Sequence, residues 1–158
     1  MPKATYRKIV VPLDGSGWSE YAIPHAAAIA RAHDAEVILL HICRPPAQDY
    51  VDALALAGQI EGAEQVSSQM AQKLTSLCHE LRSQGVKAHA QLIHGTAVVD
   101  LLCDFIESEK ADLVVMTTRG HTGLARALFG STARAVLERV NVPVSLLQPS
   151  AEAPAQKE

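Results

Sequence analysis

Residues 112–134 read DLVVMTTRGHTGLARALFGSTAR. The four residues from Leu113 are apolar without interruption, which is what a strand covered on both faces requires. The chain then becomes polar and rich in glycine. From Gly130-Ser131 a new pattern begins in which Ala133, Val136, Leu137 and Val140 recur at helical spacing. A buried strand, a loop and a helix in that order form one unit of an open parallel α/β sheet.

The same unit repeats toward the N-terminus. Strand-length runs rich in β-branched or aliphatic residues are expected at 8–13, 36–42, 86–93, 112–117 and 142–147. Helical patterns lie between them: Ala-rich residues 19–33, then Val66, Met70, Leu74, Leu77 and Leu81, then Val98, Leu101, Leu102, Phe105 and Ile106. Pro24 falls inside the first pattern and should cost or kink that helix unless it lies within the first turn. Right-handed crossovers between such units place helices on both faces of the sheet, and ligands bind beyond the carboxyl ends of its strands.

Residues 44–60 (RPPAQDYVDALALAGQI) carry no strand signal; the two prolines force an extended start, and residues 50–56 suit a short helical flap. Residues 151–158 (AEAPAQKE) read as a flexible, solvated tail behind a single domain of residues 1–150. The chain has 158 residues, 48% of them apolar and 20% charged, with a formal net charge of −3. That balance excludes a disordered chain and a polybasic nucleic-acid tail. With aromatic residues at 4%, platforms for stacking bases are not expected either, so no nucleic-acid partner is predicted. Cys43, Cys78 and Cys103 are widely spaced, odd in number and form no CxxC, which fits a reducing compartment. No apolar run approaches the roughly 18 residues that span a bilayer, so a cytoplasmic protein without membrane insertion is expected.

The loop that follows the fourth strand carries the chemistry. Residues 117–134 contain Arg119, Arg126 and Arg134 and no carboxylate, leaving −6 for the rest of a chain of net −3. Gly120 and Gly123 let backbone approach a ligand closely, and Gly130-Ser131 supplies a turn and then an N-cap for the last helix. Glu20 and Asp100 stand near helix starts, where carboxylates complement the dipole. The last helix carries Arg134 in its first turn instead, a placement that costs roughly 0.3 to 1 kcal/mol unless an external anion lies there. The segment therefore reads as an anion cradle. Asp14, in Pro12-Leu13-Asp14-Gly15-Ser16, ends the first strand at the same sheet edge, positioned to hold a ribose hydroxyl, a base amine or a metal-bound water; an Asx-turn is its alternative role.

Several motifs are absent. There is no GxxxxGK[ST], and Gly15-Ser16-Gly17 has Glu20 where a dinucleotide fingerprint needs its third glycine. A phosphoacceptor receiver would need an acidic pair after the first strand, where only Asp14 stands. The seven histidines show no metal-ligand spacing. His121 lies within the glycine loop and is able to donate to phosphate, and His41, at a strand end, is able to line the pocket. Cys43 shares that edge without a neighbouring base to make it a nucleophile.

RKIVVPLDGSGWSEYAIPHAAAIA, VILLHI, HGTAVVDLL and ADLVVMTTRGHTGLARALFGSTARAVLERVNVPVSLLQP together resemble the universal stress protein family over residues 6–149. Nucleotide-binding members of that family carry Gly, two residues, Gly, nine residues, then Gly-Ser or Gly-Thr. Gly120, the nine residues after it and Gly130-Ser131 match, whereas Thr117 replaces the first glycine. The resemblance implies a five-stranded parallel sheet of order 3-2-1-4-5 in a Rossmann-like α/β fold. It also implies that Pro12, Asp14 and Ile42 surround adenine and ribose, that Met116 and Thr117 flank the base or sugar, and that Gly120, Gly130, Ser131 and Thr132 bind phosphates. Charge and position add Arg119 and His121. ATP, with Mg²⁺, is the implied ligand, and a homodimer through the last strand the implied assembly. Val142, Val144, Leu146 and Leu147 give a separate reason for the dimer, since an apolar edge strand left open invites pairing. The expected function is regulatory rather than catalytic, with nucleotide occupancy switching the surfaces shown to an unknown protein partner. The alternatives are a nucleotide-free homodimeric interaction module and a slow ATPase. The loop has no Asp or Glu to position water for hydrolysis.

Overall fold

The computed structural model describes residues 1–44, 61–118 and 130–149. Their elements are β1 (Lys8–Leu13), α1 (Gly17–Glu20), α2 (Ala22–His33), β2 (Glu36–Cys43), α3 (Glu61–Ser83), β3 (Lys87–His94), α4 (Val98–Ser108), β4 (Leu113–Thr117), α5 (Ser131–Arg139) and β5 (Val144–Leu147). The five strands form one sheet in the order β3-β2-β1-β4-β5, and every pairing is parallel. Fold class and strand order are those expected above.

Strand alternation divides the core into two layers. Ile9, Val11 and Leu13 of β1, Val37 and Leu39 of β2 and Leu113 and Val115 of β4 pack against α2 and α3. Val10, Ile38, Leu40, Val114 and Met116 face the other way, against Leu102, Cys103, Phe105 and Ile106 of α4 and Ala133 and Val136 of α5. Ile9, Val10, Val11, Val37, Ile38, Leu39, Val114 and Val115 are wholly buried. That explains why the three central strands read as unbroken apolar runs.

α2, α3 and α4 all enter the next strand through the same turn. Asp34, Gly85 and Lys110 adopt left-handed φ of 53°, 80° and 53°. The residue after each returns its N–H to a carbonyl five positions back: Ala35 to Ala30, Val86 to Leu81 and Ala111 to Ile106, at 2.9, 3.0 and 3.1 Å. These are Schellman turns, and Ala35, Val86 and Ala111 are buried as that motif favours. At the same end of the sheet, Asp112 Oδ2 accepts from the backbone N–H groups of Arg7 at 2.7 Å and Lys8 at 2.9 Å. This fixes the start of β1 beside β4.

Several boundaries differ from expectation: β2 ends one residue later, at Cys43, and β4 begins one residue later, at Leu113. The helix expected over residues 19–33 is broken at Tyr21, which puts Pro24 in the first turn of α2, where a missing N–H leaves no bond unmade. β3 runs one residue later than the pattern suggested, because Val86 is occupied by the Schellman turn. β5 begins at Val144 rather than Val142, although the Pro143 carbonyl already accepts from Val114 N–H at 3.0 Å. Among the described residues no helix is long and apolar enough to cross a membrane. The expected flap at 50–56 and the tail at 151–158 lie outside the described residues.

Candidate functional site

The order 3-2-1-4-5 reverses direction between β1 and β4, and the crevice at such a reversal is where open α/β sheets take their ligands. Asp14 stands at the end of β1 in this crevice, held by a closed polar network. Its Oδ1 accepts from Ser16 N–H at 2.9 Å and from Ser16 Oγ at 2.5 Å. Ser16 Oγ in turn accepts from Ser19 N–H at 3.3 Å as the N-cap of α1, and Ser19 Oγ donates to the Ser16 carbonyl at 2.9 Å. Asp14 N–H closes the ring on Ser19 Oγ at 3.2 Å. The Asx-turn and the placement of a carboxylate at the sheet edge thus coexist, since the turn engages Oδ1 and fixes the direction of the whole group.

Alternation sorts the other residues. Ile42 packs on the α4/α5 layer with Leu40, as does Met116, which is 5% exposed. Pro12 follows Val10 on that face and is half-buried. Pro12, Ile42 and Met116 therefore form an apolar floor on one face, with Asp14 two residues beyond Pro12. Thr117 is buried and by alternation follows Leu113 and Val115 toward the α2/α3 face. His41 follows Leu39 on that opposite face. Its Nδ1 lies 2.8 Å from the Leu13 carbonyl, which only accepts, so Nδ1 carries the proton and ties β2 to the end of β1.

The start of α5 completes the arrangement. Ser131 was expected to cap this helix; the structure makes Gly130 the N-cap, with extended φ −65° and ψ 160°, and Ser131 the first helical residue. Gly130 has no side chain to turn back on the helix, and no acidic residue occupies the first turn. Arg134 N–H bonds to the Gly130 carbonyl at 3.1 Å, closing that turn. The leading N–H groups of Ser131, Thr132 and Ala133 remain the kind of donors that bind anions. Gly130 is held against the end of β4, its N–H donating to the Thr118 carbonyl at 2.9 Å, and a Cβ built on it would lie 3.3 Å from that same oxygen. By contrast, Glu20 pairs with Lys73 at 2.6 Å, and Asp100 at the start of α4 pairs with Arg139.

Pro12, Asp14, Ile42, Met116, Gly130, Ser131 and Thr132 thus meet at one edge of the sheet. Arg119, Gly120 and His121 lie outside the described residues. Sequence reasoning did not single out Ser19, which closes the network on Asp14, or Thr118, whose carbonyl holds Gly130. Ser19 was legible as the residue three after a Ser N-cap, and Thr118 by counting two from Met116 along an alternating strand.

The fold is that of a doubly wound α/β protein with a glycine-started helix at its switch point, and similarity to known proteins narrows the class. The universal stress protein family profile matches residues 5–148, so the chain belongs to that family. It is 34% identical over 149 residues to universal stress protein MJ0531 of Methanocaldococcus jannaschii, covering 90% of this chain and 82% of the relative. It is 28% identical over 155 residues to MJ0577 of the same organism, covering 90% and 95%. The solved structure of MJ0577 superposes with a TM-score of 0.76 at 25% identity, over 93% of this chain and 99% of that one. A universal stress protein solved in complex with cAMP superposes at 0.63 with 24% identity, over 93% and 100%. A family member from Arabidopsis thaliana solved with AMP bound superposes at 0.62 with 18% identity, over 95% and 97%.

Proposed function

We propose that this protein binds an adenine nucleotide, ATP in the first instance, across the switch point between β1 and β4, and that occupancy alters the surface it shows to a protein partner. The observation that carries the reading is the start of α5. A Cβ added at Gly130 would lie only 3.3 Å from the Thr118 carbonyl, so a side chain fits poorly at that point, and the helix beyond it offers N–H donors with no acid in its first turn. Pro12, Ile42 and Met116 supply an apolar floor for a base. Asp14, oriented by Ser16 and Ser19, accepts from a ribose hydroxyl or base amine. Ser131 and Thr132 donate to phosphate, joined by Arg119, Gly120 and His121 of the adjoining loop, and Thr117 borders the sugar through its main chain. That two family members have been solved with AMP and with cAMP supports the choice of an adenine nucleotide.

Among the described residues no group of three or more His, Cys, Asp or Glu side chains is placed to hold a metal ion. Mg²⁺, as is usual for that ion, would accompany the nucleotide through its phosphates and waters. The chain would act as a cytoplasmic regulatory switch without catalysing a reaction. β5, an edge strand with all four residues half-buried, would pair with its copy in a homodimer.

The test compares the wild type with Gly130→Val in thermal unfolding with and without ATP. The wild type should rise in Tm, and the variant, whose added carbons crowd the Thr118 carbonyl and the start of α5, should show no rise while remaining dimeric. A variant that retained full nucleotide affinity would contradict this placement of the phosphates. Phosphate release above background would favour the slow ATPase instead.

A further inference from the structure

We propose that the hydroxyl of Thr118 is a phosphate donor in this site and selects phosphorylated nucleosides over unphosphorylated ones, an inference that rests on the nucleotide reading above. Thr118 lies one residue beyond β4, but the ladder continues through it, since its N–H donates to the Leu147 carbonyl at 2.9 Å. Alternation carried on from Val114 and Met116 therefore directs its side chain to the α4/α5 face, the face of Pro12 and Ile42. The residue is only 7% exposed.

Among the described residues nothing bonds to the Thr118 hydroxyl, and no fully buried side-chain polar atom lacks a partner. It follows that the small accessible part of this residue includes Oγ1. Thr118 borders the first turn of α5, because its carbonyl holds Gly130 N–H. An otherwise buried hydroxyl without a partner is costly unless something bonds it. Beside the uncapped N-terminus of a nine-residue helix, a hydroxyl that donates to an anionic oxygen adds to the N–H groups already facing it. Thr117, the neighbouring threonine, points to the other face of the sheet and does not duplicate this role.

Calorimetric titrations of ATP and adenosine into the full chain test this in the wild type, Thr118→Val, Thr118→Ala and Thr118→Ser. Removing one charge-assisted hydrogen bond should weaken ATP about ten- to a hundredfold. Thr118→Val and Thr118→Ala should show that loss with adenosine affinity unchanged, and Thr118→Ser should keep ATP affinity within about threefold. Equal ATP affinity in wild type and both apolar variants would overturn the proposal while leaving the nucleotide reading intact, as would an equal loss for ATP and adenosine. A wild type that binds neither would overturn the nucleotide reading itself.

Discussion

Asp14 reaches its place through two serines, and that dependence is measurable. Ser16 both caps α1 and donates to Asp14 Oδ1, so Ser16→Ala removes a cap and loosens the carboxylate. Urea denaturation should show a loss of about 1 kcal/mol, and adenosine should bind more weakly. Unchanged stability would remove the network from this account. The cysteines give a second test. Burial pushes the thiols of Cys78 and Cys103 up, with Arg82 and Arg139 respectively opposing the shift. A raised thiol pKa means less thiolate at any given pH, so these two should resist alkylation at pH 8 in the folded protein, whereas half-buried Cys43 reacts first. Mass spectrometry should find one fast modification in the native state and three after denaturation. The surroundings of the proposed site were legible where residue type sets the local backbone, as with Asp14, whose Asx-turn forms on Ser16, and Gly130, which starts α5. Motif spacing counts residues along the chain and selects Thr117; what spacing does not carry is the side of the sheet, where strand alternation sets Thr117 toward the α2/α3 layer and Thr118 toward the other.

Among elements, the three Schellman turns show how a local rule sets a global layout. Each ends a helix and delivers the chain into the adjoining strand, yet only the turn at Gly85 uses glycine. Gly85→Ala meets no neighbouring atom within 4 Å, so its cost is that of the backbone alone, roughly 1 to 2 kcal/mol. Lys110→Gly should do the reverse and raise stability by up to about 1 kcal/mol. Chemical denaturation of both variants checks the sign, and a shift in the same direction for both would contradict the argument. β1, β2 and β4 were legible because strands buried on both faces leave continuous apolar runs. The edge strands β3 and β5 were placed less accurately, since half-exposed residues mark boundaries weakly and the turn at Val86 and the proline at 143 take residues the pattern assigned to strands. The break at Tyr21 left no mark in an Ala-rich helical pattern except Pro24, whose placement in a first turn explains its tolerance.

For the whole molecule, two faces of one sheet are covered by helices, and among the described residues no further strand pairs with the β3 or β5 edge. The β5 edge is short and half-buried, and its pairing with a second copy predicts twice the chain mass by light scattering; a monomer at micromolar concentration would contradict the proposed dimer. The crevice at the switch point is where the nucleotide is proposed to bind. Thermal unfolding with ATP tests it most directly. At 100 times its dissociation constant the ligand should add about 2.7 kcal/mol to folding stability, seen as a saturable rise in Tm that Gly130→Val lacks. A Tm that stays fixed through millimolar ATP, ADP, AMP and cAMP would contradict nucleotide binding and leave a nucleotide-free interaction module in its place.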